Sequence, residues 1–126
     1  MKPVKQTPLA SARGLGSART GSRHWWLQRV SALALAPLTI WFVVSFTVLI
    51  HNNYQAYSQW IASPLNAVLT ITLVIILFFH MSLGLQVIIE DYLHTNRIKL
   101  LSVVAVQFAC FVFAIAGIVS ILQMIT

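Results

Sequence analysis

With 126 residues, 59% of them hydrophobic and only 8% charged, the chain has too little polar surface to cover a water-soluble globule, because soluble domains carry about a quarter charged residues. A mean hydropathy of +0.85 makes lipid the solvent for most of its length. The net charge of +6 would suit nucleic acid, but the basic residues flank apolar segments, where they set membrane orientation instead, so no nucleic-acid partner is expected.

The first 29 residues, "MKPVKQTPLASARGLGSARTGSRHWWLQR", hold six of the eight Lys and Arg residues and no acid. No apolar core follows the basic start before Val30, which excludes a secretory signal peptide. An Arg- and Ser-rich start without acids also reads as a mitochondrial transit peptide. The other reading is a cytoplasmic tail, and the family resemblance described below favours it.

Three uncharged runs follow, at Val30–Ile50, Leu65–Ile89 and Leu100–Ile125. About 20 residues at 1.5 Å rise cross a hydrocarbon core of roughly 30 Å, so each run is long enough. Leu, Ile and Val come in blocks without the alternation of barrel strands, which predicts helices. The fold class is therefore all-α: an integral membrane protein with three transmembrane helices over about 30–50, 65–89 and 100–125. The basic segment 1–29 precedes this membrane domain, 30–126.

The first loop, "HNNYQAYSQWIASP", has no Lys or Arg, whereas the second, "EDYLHTNRIK", has two. Positive charge stays inside, so the tail and second loop are expected in the cytoplasm, with the first loop and the C-terminus outside. Trp25 and Trp26 would mark the inner interface, and Tyr54, Tyr57 and Trp60 the outer one. Small residues spaced four apart (Ala32 and Ala36, Ala105 and Ala109), followed by Ala114, Ala116, Gly117 and Ser120, would let helices approach closely. Cys110, the single cysteine, excludes an intrachain disulfide or thiolate cluster and is read as a small hydrophobe. Three helices bury little against one another, so a partner chain is expected.

Within "FFHMSLGLQVIIEDYLH", residues 78–94, His80 stands deep in an apolar run that ends in Glu90, Asp91 and Tyr92. An ionisable side chain is costly at that depth and tends to be functional. Metal or haem ligation, an interhelical hydrogen bond and a proton relay are all open to it. On an ideal helix His80 lies ~22 Å from the outer end of its run and ~14 Å from the inner end. Gly84 lies ~40° around the helix, clearing side-chain bulk beside the imidazole, and Asp91 returns to within ~20° of the same face. His24, His51 and His94 fall near the interfaces and do not reach this depth. If His80 bound an iron with two imidazole ligands, the second would come from another chain.

"GLGSARTGSRHWWLQRVSALALAPLTIW" together with "HMSLGLQVIIEDY" resembles the small hydrophobic anchor subunits of succinate dehydrogenase, respiratory complex II, of the alphaproteobacterial type. The resemblance runs over about residues 14–93 and is most specific in the spacing of His80, Gly84, Asp91 and Tyr92. It implies half of a heterodimeric anchor bundle. The partners implied are a second, cytochrome b-type anchor, an iron–sulfur subunit and a flavoprotein that oxidises succinate, in a bacterial inner membrane.

By resemblance, His80 matches an axial ligand of haem b, which the two anchors share, and Gly84 packs beside it. Tyr92 matches a ubiquinone-facing tyrosine with Asp91 next to it. Arg29 resembles a basic residue that enters the first helix near the haem propionates or the quinone. Such a chain is a subunit of a succinate:quinone oxidoreductase with no activity alone. The alternatives are a fumarate reductase-type anchor, a structural tether or assembly protein without redox chemistry, and a proton-coupled transporter component relaying through His80.

Overall fold

A computed structural model describes residues 7–12 and 21–126, so much of the basic segment 1–29 lies outside the described residues. In chain order the elements are α1 (Pro8–Ala12), α2 (Gly21–Leu49), α3 (Tyr54–Ala62), α4 (Pro64–Tyr92) and α5 (Asn96–Ile125). The three long helices are the expected spans, each long and apolar enough to cross a membrane. At 29, 29 and 30 residues they run ~43–45 Å, longer than the hydrocarbon core.

The extra length lies at polar ends. α2 begins at Gly21 rather than Val30, and α5 at Asn96 rather than Leu100. Charge ends an apolar run but not a helix. Backbone bonding continues through His24–Arg29 and through Arg97 and Lys99, where side chains reach into the headgroup region. α4 starts on Pro64 in the first turn, where a missing N–H costs nothing. α2 continues through Pro37.

The first loop contains a helix that an uncharged linker did not announce. Asn53 caps α3 by accepting the Ala56 N–H on Oδ1 at 3.0 Å, a bond typically worth about 1 kcal/mol. Tyr57, Trp60 and Ile61 then fall at i, i+3 and i+4 on one face. Trp60 stacks on Trp41 with centroids 5.6 Å apart, and Tyr57 meets Phe46 edge-on at 6.4 Å. Ile61 is the most deeply buried large side chain, at 1% exposure. Of the three aromatics expected at the outer interface, only Tyr54 is left largely exposed; the other two tie α3 to α2.

α4 is the central helix, packed on α2 along one side and on α5 along the other, while α3 closes one end of the bundle against α4 and α5. Phe78 and Phe113 stack across α4 and α5. A Cβ at Gly117 would stand 3.2 Å from Val74 Cγ1, so this glycine lets Val74 of α4 pack close against α5. The other small residues contribute less: Ala32, Ala36, Ala105, Ala109, Ala116 and Ser120 are exposed. Large apolar side chains from Val30 to Leu122 lie open along all three spans. In lipid that is an unremarkable surface, and it leaves wide faces for a second chain.

Candidate functional site

α2 carries His24, Gln28 and Ser31 at i, i+4 and i+7, on one face of the helix. The face meets α4 where His80 and Gly84 stand a turn apart. Ser31 is buried, at 6% exposure. Its Oγ lies 2.8 Å from His80 Nδ1 and donates to the Gln28 carbonyl at 3.0 Å. Gln28 Nε2 lies 3.4 Å from His80 Nε2, a long contact for a hydrogen bond. Both ring nitrogens of His80 are thus met from α2, and the interhelical bonding open to it from sequence is present.

A cavity of about 740 Å³ opens beside this group, lined by Gly21, His24, Trp25, Gln28, Arg29, Ala32, His80, Gln86, Val87 and Glu90. Two of its polar atoms, Gln28 Oε1 and His24 Nε2, are buried with no hydrogen-bond partner among the described residues. The Arg29 guanidinium stands 5.3 Å from the Trp25 ring centroid, a cation–π distance. Gln86 donates to Glu90 Oε1 at 2.8 Å and accepts from Gln107 Nε2 at 3.2 Å, tying the cavity's acid to α5.

Of the residues singled out in the sequence, His80 and Arg29 line one cavity. Gly84 lies beside it: a Cβ there would stand 3.4 Å from Gln28 Nε2. The clearance expected next to the imidazole exists, and Gln28 occupies it. Asp91 and Tyr92 are the last two residues of α4, both exposed, and Glu90 rather than either of them lines the cavity.

Sequence reasoning gave no role to Ser31, Gln28 or Gln86, and named Glu90 only as an acid ending the His80 run. The first two share one face of α2, but their meaning comes only from the packing of that face on α4. His24, placed by spacing away from His80, shares its cavity after all. It lies seven residues before Ser31, ~10 Å along α2 from the level at which Ser31 meets His80. No cluster of three or more His, Cys, Asp or Glu that could hold a bare metal ion occurs among the described residues. A mostly apolar cavity lined by His24 and His80 without such a cluster suits a prosthetic group that brings most of its own ligands.

Residues 3–114 match the family model described as "Succinate dehydrogenase/Fumarate reductase transmembrane subunit". The chain belongs to this family. It is 32% identical over 114 residues to the succinate dehydrogenase hydrophobic membrane anchor subunit of Rickettsia conorii, covering 90% of each chain. It is 33% identical over 110 residues to that of Paracoccus denitrificans, covering 87% of this chain and 85% of the relative. The succinate dehydrogenase membrane anchor subunit of Reclinomonas americana is 28% identical over 92 residues, 71% of this chain and 77% of the relative. The alphaproteobacterial resemblance read from the tail and the His80 segment is therefore correct. So is the three-span, all-helical anchor architecture. As a succinate dehydrogenase membrane anchor, the chain contributes helices to the complex and is not itself its catalyst.

Proposed function

We propose that this chain holds haem b jointly with a second anchor subunit and forms part of the ubiquinone reduction site at the cytoplasmic face. The observation that carries this is His80, within a membrane span, lining a cavity of about 740 Å³ together with Arg29 and His24. That volume lies within the usual range of cofactor sites, roughly 300–1,000 Å³. The donor set fits as well. A neutral imidazole brings an iron ligand without burying a charge, and Arg29 offers donors to carboxylates at the N-terminal end of α2. Haem held by His80 and a ligand of the second anchor would supply one-electron transfer.

The chain's own residues do the rest. His80 would be the axial ligand, turned toward its partner once Gln28 moves off Nε2, with Gly84 leaving room beside it. Arg29 would meet propionates or the quinone head. At the end of α4, Tyr92 would donate its phenolic O–H to a quinone oxygen, and Asp91 would hold water or pass protons from the cytoplasm. The iron–sulfur subunit and flavoprotein dock on this cytoplasmic side, and the second anchor covers open faces of the spans.

The test is to purify the complex through a tag on this chain. A b-type haem spectrum should accompany it, together with succinate-driven reduction of a ubiquinone analogue. A complex with full quinone reductase activity and no haem would reduce the chain to a structural tether.

The orientation rests on charge: six Lys and Arg in the first 29 residues and two in the second loop, against none in the first. We expect Gln59→Cys, exposed on α3, to react with an impermeant thiol reagent from outside intact cells. Labelling only from the cytoplasmic side would invert the topology.

A further inference from the structure

We propose that Ser31 is the positioning residue for the haem ligand. Its hydroxyl oxygen accepts the Nδ1–H of His80, fixing the tautomer whose Nε2 lone pair is left for iron. The inference rests on the reading of His80 as an axial ligand and adds a residue from another helix.

A neutral imidazole has one N–H and one lone pair, so its neighbours decide which nitrogen carries the proton. Ser31 has a single O–H, and it donates to the Gln28 carbonyl at 3.0 Å, three residues back on its own helix. With that proton committed, Oγ presents lone pairs to His80 Nδ1 at 2.8 Å, and Nδ1 must be the donor. On the far side of the ring stands the amide nitrogen of Gln28, which can only donate, 3.4 Å from Nε2. Nε2 can therefore face it only as a lone pair. Two contacts on different atoms assign the same tautomer.

The two neighbours differ in permanence. Ser31 is buried at 6% exposure with its hydroxyl anchored to the helix backbone. Gln28 makes a long contact, and its Oε1 is buried without a partner among the described residues. Gln28 therefore covers Nε2 weakly and loses little by turning aside when iron binds, whereas Ser31 stays. An acceptor behind the ligating ring makes the imidazole a stronger donor, which favours ferric over ferrous iron.

Redox titration of haem b in the assembled complex tests this, comparing Ser31→Ala, Ser31→Cys and Ser31→Thr with the unmodified chain. Without the acceptor, Ser31→Ala should shift the reduction equilibrium toward ferrous iron by about threefold to tenfold, tenfold being 59 mV for one electron. Ser31→Thr keeps the hydroxyl and should restore the original potential. Should the alanine complex not assemble, Ser31→Cys reads the same effect, since a thiol keeps a side chain there but is only a weak acceptor. Haem lost in Ser31→Ala but retained in Ser31→Thr supports the assignment equally. An unmoved potential in the alanine or cysteine variant overturns it, as does an equal shift in the threonine variant. A haem spectrum untouched by His80→Ala would instead remove the ligand reading itself, so the two failures are distinguishable.

Discussion

His80→Ala should abolish the b-type haem band of the complex or reduce it severely, while succinate oxidation by a soluble electron acceptor stays largely intact. Among the described residues His80 is the imidazole whose two ring nitrogens are both met from α2. Alanine also leaves Ser31 Oγ and the Gln28 amide facing each other across the lost ring, and an unsatisfied buried polar group costs about 1–3 kcal/mol. Some loss of complex yield is therefore expected along with the spectrum. Electrons from succinate reach a soluble acceptor upstream of the anchors on this reading, so that rate per assembled complex should hold. A normal haem spectrum in the purified variant would take His80 off the ligand position.

Tyr92→Phe should slow quinone reduction by about tenfold or more, equivalent to roughly 1.4 kcal/mol of transition-state stabilisation. Tyr92 closes α4, twelve residues beyond His80 and ~18 Å along the helix, at the end that the charge bias assigns to the inner interface. An apolar quinone reaches this level through lipid while its head meets donors and water. The side chain is 77% exposed on this chain alone, so the site needs other chains to enclose it. The phenylalanine variant keeps the ring and removes one O–H, the bond that strengthens as negative charge develops on the quinone oxygen. Haem content should be unchanged. Equal ratios of quinone to soluble-acceptor reduction in variant and parent would leave Tyr92 an interfacial aromatic.

The three spans were legible because lipid demands long apolar helices, and no tertiary context competes with that demand. His80 was legible for the converse reason: a titratable ring in such a run is conspicuous. Ser31 and Gln28 were not, because a lone Ser or Gln near a helix end is common and its meaning depends on which face packs where. Only the docking of α2 on α4 brings residues 49 and 52 positions away onto the two ring nitrogens. Likewise α3 was hidden in a loop, its Asn53 cap and its Tyr57, Trp60 and Ile61 face being short beside the spans. The helix periodicity that placed Asp91 on the stripe of His80 overlooked the cavity's turn toward Glu90, which Gln86 holds within α4 and Gln107 of α5 braces through Gln86.

The most direct measurement is an experimental density map of the assembled complex at the level of His80. The account predicts haem iron bonded to His80 Nε2, a histidine of the second anchor on its opposite face, Ser31 Oγ still against Nδ1, and Gln28 turned away. Iron ligated by two histidines from outside this chain, with Gln28 still resting on His80 Nε2, would contradict it.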